Sequence, residues 1–318
     1  MMSEETPAGT TDARPGAIDA VPVRHPGRWV AIAVIAVLVA MLVHLLLTNK
    51  AFDWKFVFQA MNQTPVISGF LKGTLLVTVL SMIVGVGGGV LLAVMRLSDN
   101  PILSGVSWAF TWFFRSIPRY LLLFTMGTLG VLFPSGVSLG IPFDWKIIEW
   151  LGMSGDWRFL TLDANQVFTG LVAGVIGLGL SEAAYMAEIA RAGIMSVDKG
   201  QAEAAEALGM PKGKAMRRVV LPQAMRVIVP PTGNETIAML KDTSLLLAVP
   251  VIGELFYQLQ SIGSTYYKTF PIAVAATLYY LLATSVLMVG QYFLERHFGK
   301  GFGTTAPRAA RPAGAGGA

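Results

Sequence analysis

Residues 188–226 read EIARAGIMSVDKGQAEAAEALGMPKGKAMRRVVLPQAMR, a polar stretch set between two strongly apolar runs. Within it, residues 201–208 are rich in Ala, Glu and Leu, which favour helix. Gly209 suits a left-handed C-terminal cap, Pro211 the first turn of a second helix, and Pro222 that helix's end. The pattern is helix, glycine turn, helix. In a soluble protein it would point to DNA reading, but a stretch this short, tethered at both ends to apolar runs, cannot supply an independent core. Docking of a cytoplasmic partner fits better.

Outward from this loop the chain is too apolar for a soluble domain. Of 318 residues, 54% are hydrophobic and 14% charged, and the mean hydropathy is +0.60; ordinary domains carry charge on about a quarter of their residues. A hydrocarbon core of about 30 Å needs about 20 apolar residues of helix. Six runs qualify: 29–47, 74–95, about 102–133, about 167–187, about 227–251 and 270–294. The first lacks an A-x-A cleavage site and reads as an uncleaved span. In the second, Gly85, Gly87, Gly88 and Gly89 permit close approach of a neighbouring helix. The third is interrupted by Arg115, Pro118 and Arg119, and the fourth carries Glu182 near its end. The fifth holds Pro230, Pro231, Gly233, Glu235, Lys241 and Asp242, and is the least helix-like of the set.

With the N-terminus inside, the cytoplasmic loops and tails hold 15 Lys and Arg and the opposite loops 6. That bias places both termini and the 188–226 loop in the cytoplasm. It also accounts for the net charge of +5 without nucleic acid. There is no cysteine, which excludes thiolate metal sites and cysteine nucleophiles, and His25, His44 and His297 are too scattered for a metal site. No GxSxG, HExxH or paired-carboxylate motif stands in a plausible site, and no GxxxxGK[ST] phosphate loop is present, so neither hydrolase chemistry nor ATP binding is expected of this chain.

Glu203, Ala204, Ala205, Gly209, and then, after nine residues, Val219, Leu221 and Pro222 match the EAA loop of permease subunits of bacterial ABC importers. The stretches AYMAEIARAGI (184–194), VDKGQAEAAEALGM (197–210), LPQAMRVIVPPTGNE (221–235) and LKDTSLL (240–246) resemble the polar amino acid permease group, which includes histidine, glutamine and glutamate importers. The likeness runs from about residue 73 to 296. It departs at Phe114, Arg115, Ser116, Ile117, Pro118 and Arg119, where the family usually has FRGTP. The resemblance implies an all-α membrane protein of about six transmembrane helices. Five would form the permease domain, 66–296, with a coupling loop at about 188–226, and an additional span at 29–47 would precede it. Residues 1–28 and 297–318 would be disordered cytoplasmic tails. The implied function is ATP-driven import of a polar amino acid, with glutamate as the specific expectation; the competing reading is an ion-coupled secondary amino acid transporter.

The resemblance also implies partners: a cytoplasmic ABC ATPase dimer that binds ATP and magnesium, a second permease subunit in a homodimer or heterodimer, an extracytoplasmic substrate-binding protein, and the bilayer of the bacterial cytoplasmic (inner) membrane. No cofactor is expected in this chain. Glu203, Ala204, Ala205, Gly209, Leu221 and Pro222 would couple to the ATPase.

A charge at a helix centre costs about 2.5–3.5 kcal/mol on insertion scales, so ionisable residues inside spans are functional candidates. Glu188, Arg191 and Asp198 lie toward the cytoplasmic edge, where solvation explains them. Glu182 either lines the path, forms an internal ion pair, or is solvated at the interface. Lys241 and Asp242, on a proline- and glycine-broken segment, either bind ligand or pair between helices. Arg115 and Arg119, four apart on one helical face, form a gate or anion-attracting patch, or else snorkel toward headgroups. Glu182 and Lys241 together would hold the amino group and carboxylate of one amino acid.

Overall fold

The computed structural model describes residues 26–134, 136–163, 170–249 and 251–299. Two compact units divide the chain, residues 1–50 and residues 51–318. The first contributes α1 (Pro26–Thr48), whose 23 residues suffice to cross a bilayer.

The second unit begins with α2 (Trp54–Met61), capped by Asp53, whose carboxylate accepts from Phe56 N at 3.3 Å. Lys268 donates to the same carboxylate and holds it below the ordinary carboxyl range, its ammonium lying 4.5 Å from the centre of the Phe56 ring. α3 (Thr64–Arg96) follows, with a π-helical segment at Gly69–Leu75. α4 (Pro101–Ser116) starts where Asn100 accepts from Ile102 N at 2.9 Å and Pro101 fills the first turn. The helix then breaks. Ile117, forced out of the helical region by the proline after it, is extended (φ −96°, ψ 131°), and α5 (Arg119–Leu132) resumes beyond Pro118.

A small hairpin interrupts the helices. β1 (Val137–Gly140) pairs antiparallel with β2 (Arg158–Leu162), Leu139 opposite Leu160, and α6 (Asp144–Leu151) lies between them. The Asp144 carboxylate fastens this excursion by accepting from Trp145 N at 2.8 Å and Trp157 N at 3.2 Å. Next come α7 (Gly170–Met195), α8 (Lys199–Ala207) and α9 (Lys212–Ala215). A π-helical segment at Met216–Val220 then leads into α10 (Leu221–Asp242), and a 3-10 segment at Thr243–Ala248 into α11 (Leu255–Tyr266) and α12 (Thr269–Phe298). The architecture is that of an all-α membrane protein carrying one short hairpin. Residues 1–25 and 300–318 of the expected tails lie outside the described residues.

Four of the six expected spans are single long apolar helices: α1, α3, α7 and α12. The third is instead two helices, so Arg115 and Arg119 do not share one helical face. The fifth is more regular than expected, because α10 runs unbroken through Pro230 and Pro231. The prolines leave the carbonyls four residues back, those of Arg226 and Val227, without their helical donors, and Gln291 of α12 ties the two helices together at this point by donating to Pro230 O at 2.8 Å. Pro222 does not end a helix either. The Leu221 N–H reaches back five residues to Met216 O, and Pro222 sits in the first turn of α10, where a missing N–H is harmless. The beginning of the 188–226 stretch is helical, since α7 continues to Met195.

α3 and α7 are held together through glycine. A Cβ at Gly85 would lie 2.5 Å from Glu182 Cγ and one at Gly88 2.9 Å from the Ala183 Cβ, while one at Gly89 would strike Met186. Gly87 faces open space. One apolar core joins α3, α5, α7 and α10 around Val77, Leu123, Leu178 and Met239, and another joins α2, α11 and α12 around Val57, Leu259 and Ile272.

Candidate translocation site and coupling loop

The start of one helix, the middle of a second and the last turns of a third bring charge together. Arg119, the first residue of α5, extends from the Pro118 break toward the middle of α7 and the last turns of α10. Its Nη2 lies 2.9 Å from Glu182 Oε2 and 3.7 Å from Glu235 Oε2, and its Nη1 pairs with Asp242. One guanidinium thus faces three carboxylates. Glu182 is fully buried, whereas Glu235 and Asp242 keep 27% and 29% of their side-chain surface, so the cluster opens on the α10 side. The second Glu182 oxygen, Oε1, has no hydrogen-bond partner among the described residues. A buried carboxylate oxygen left bare is costly, because its desolvation is not repaid. Tyr185, one turn beyond Glu182, lies under both arginines, its ring centre 5.0 Å from the Arg119 Cζ and 5.5 Å from the Arg115 Cζ.

The structure does not bring Glu182 and Lys241, the two expected holders of one amino acid, into the same cluster; Arg119 is the base beside Glu182. Lys241 is exposed and lines a separate groove with Phe256, Tyr280 and Thr284. Its neighbour Asp242 makes the interhelical ion pair that the sequence left open. Glu188 and Arg191 pair with each other, Arg191 Nη2 lying 2.8 Å from Glu188 Oε2. Two members of the constellation, Glu235 and Tyr185, were not singled out from the sequence, although Glu235 is an acid inside an apolar run. Glu254 was missed altogether; it is fully buried and accepts from Thr74 Oγ1 at 2.7 Å, Phe256 N at 2.7 Å, Tyr257 N at 3.1 Å and the Tyr280 hydroxyl at 3.0 Å.

The loop helices form as expected, with one shift. Asp198 caps α8, accepting from Gly200 N at 2.7 Å. At the other end Gly209 takes φ +76°, its N–H bonding Glu206 O at 2.9 Å and the Met210 N–H bonding Ala205 O at 3.1 Å. These two bonds make a Schellman cap, which only glycine enters without strain. Pro211 is the cap before α9 rather than part of its first turn. Ala205 is buried with Ala215, Val220 and Ala224, while Glu203, Ala204 and Leu208 stay exposed, Leu208 at 82%. Gln223 of α10 reaches Gln201 of α8 at 3.3 Å. Leu221 and Pro222 lie at the start of α10, where the chain leaves this loop.

Residues 85–300 match the family of binding-protein-dependent transport system inner membrane components. The chain is 45% identical to the arginine transport system permease protein ArgU of Corynebacterium glutamicum over 92% of its own length and 87% of that protein. It is 31% identical to the arginine transport system permease protein ArtQ of Bacillus subtilis, over 72% of this chain and 91% of that one. Among solved structures, the crystal structure of an amino acid ABC transporter with histidines superposes with a TM-score of 0.55 at 31% identity, covering 73% of this chain and 94% of the other. These relatives are transport subunits, not enzymes, and the several apolar helices make this a multi-pass protein of the inner membrane. The chain belongs to the family of binding-protein-dependent transport system inner membrane components, as the permease subunit of an amino acid ABC importer.

Proposed function

We propose that the cluster on α5, α7 and α10 is the intramembrane contact for a cationic amino acid. The observation that carries this reading is the bare Oε1 of buried Glu182, beside one guanidinium and two further carboxylates. Arg119 neutralises one of three acids, so the site holds surplus negative charge that a ligand ammonium or guanidinium would complete. Glutamate, the expectation from sequence, would bring a further carboxylate into that field. The arginine permeases of C. glutamicum and B. subtilis among the relatives support a cationic substrate. In uptake assays on vesicles carrying the permease, its ATPase and its binding protein, labelled arginine accumulates and excess lysine competes while glutamate does not. Glutamate accumulating as well as arginine would overturn the assignment.

Energy would enter through α8. Its exposed Glu203, Ala204 and Leu208 form the face offered to a cytoplasmic ATPase dimer, which supplies ATP and magnesium, and Gly209 sets the angle of that face. Both termini lie in the cytoplasm on this reading, as the 15 to 6 basic bias requires. A second permease subunit completes the path, and an extracytoplasmic binding protein delivers the substrate. Gly209→Val places a β-branched residue at φ +76°, a strain of about 1–2 kcal/mol or more. The variant still inserts in the membrane, but substrate-stimulated ATP hydrolysis drops several-fold. Full stimulation by a well-expressed variant would remove α8 from the coupling role.

A further inference from the structure

A second charged cleft, of about 470 Å³, opens between α3, α4 and α7, lined chiefly by Arg96, Trp108, Trp112, Arg115, Glu188 and Arg191. Its charge is opposite to that of the translocation cluster, since three guanidiniums face one carboxylate. Arg191 is engaged with Glu188 at 2.8 Å, and Arg96 donates to Ser104 O at 3.1 Å. Arg115 makes no hydrogen bond or ion pair among the described residues; it rests on the Tyr185 ring alone. Arg115 is exposed and its guanidinium cannot shed its proton, so its planar fork is free to engage an anion from outside the chain.

The position narrows the choice of anion. The cleft lies toward the end of α7 that leads, three residues on, into α8, the cytoplasmic end in the orientation proposed above. A cationic amino acid is repelled by the surplus positive charge, so this is not a second station for the transported substrate. Beside the arginines, Trp108 and Trp112 stack with ring centres 6.2 Å apart and planes 12° apart, exposed by 52% and 59%. Such rings suit the boundary between headgroup and acyl chain. We propose that the cleft binds the phosphate of an anionic phospholipid of the inner leaflet, with Arg115 as its main ligand, Arg96 and Arg191 as flanking charges and the two indoles against the glycerol and first methylenes.

The test uses the permease purified with its ATPase, stripped of lipid and titrated with phosphatidylglycerol or phosphatidylcholine, bound lipid being counted by native mass spectrometry. Wild type retains phosphatidylglycerol preferentially. Arg115→Gln lowers its occupancy about five-fold and leaves phosphatidylcholine unchanged. Arg115→Lys, which keeps the charge but not the planar fork, falls between. Lys72→Gln, a charge removed near the opposite end of α3, keeps the preference. Equal retention of the two lipids by wild type, unchanged phosphatidylglycerol in Arg115→Gln, or an equal loss in Lys72→Gln overturns the proposal. Displacement of the lipid by millimolar glycerol phosphate assigns the cleft to a soluble phosphate and overturns the lipid assignment.

Discussion

Glu254 and Glu182 are both fully buried carboxylates in a membrane protein, and the difference in their surroundings separates scaffold from site. Glu254 receives four donors, two hydroxyls and two backbone N–H groups. They come from α3, α12 and the first turn of α11, so one side chain ties three elements together and caps one of them. Among the described residues, Glu182 has a single guanidinium on one oxygen and nothing on the other. Burial of an acid is therefore no guide to its role; the number of donors reaching it is. A saturated carboxylate rigidifies, and a half-satisfied one retains capacity for a ligand.

The largest expected effect follows from emptying the saturated site. Glu254→Ala strands the Thr74 and Tyr280 hydroxyls and removes the cap of α11, a loss of about 3 kcal/mol or more. Thermal unfolding of the purified complex should show a large drop in the midpoint, and transport should fall only in proportion to the folded protein remaining. An unchanged midpoint would break the comparison by making Glu254 dispensable.

A smaller effect is expected where glycine makes room for Glu182. The added methyl of Gly85→Ala would lie 2.5 Å from Glu182 Cγ, an overpacking worth about 1–3 kcal/mol. It should shift the carboxylate relative to Arg119, lowering both the melting temperature and substrate affinity. Gly87→Ala two residues away meets nothing within 4 Å and serves as the control. Equal behaviour of the two variants would show that Glu182 tolerates displacement.

The contrast between the two acids was only half legible in the sequence. Glu182 stands out because it follows a long uncharged run, and its candidacy came from that isolation. Its partner did not, because Arg119 lies 63 residues away and only the break at Ile117–Pro118 turns the first residue of α5 toward α7. The proline- and glycine-broken segment makes Lys241 and Asp242 equal candidates in the sequence, but adjacent residues on a helix project about 100° apart, and Asp242 takes the cluster while Lys241 takes another groove. Glu254 was hidden for the same reason, since its hydroxyl partner Thr74 is 180 residues distant. A tyrosine in an otherwise apolar span, as at Tyr280, was the available signal that a buried acceptor was near. The loop was more readable. Schellman caps are local, so Gly209 announced its own conformation, whereas α10 runs on through Pro230 and Pro231 inside the helix bundle, where a local breaker signal is overridden.

The most direct test of the difference between the two acids is equilibrium binding of labelled arginine to the purified permease–ATPase complex, without binding protein, in wild type and Glu182→Gln, with melting temperatures measured on the same samples. A charge-assisted contact is worth about 1.5–3 kcal/mol, so affinity should fall roughly ten-fold or more while the melting temperature holds or rises. Wild-type affinity in Glu182→Gln together with a lowered melting temperature would contradict the account, placing Glu182 with Glu254 among the residues that only hold the fold.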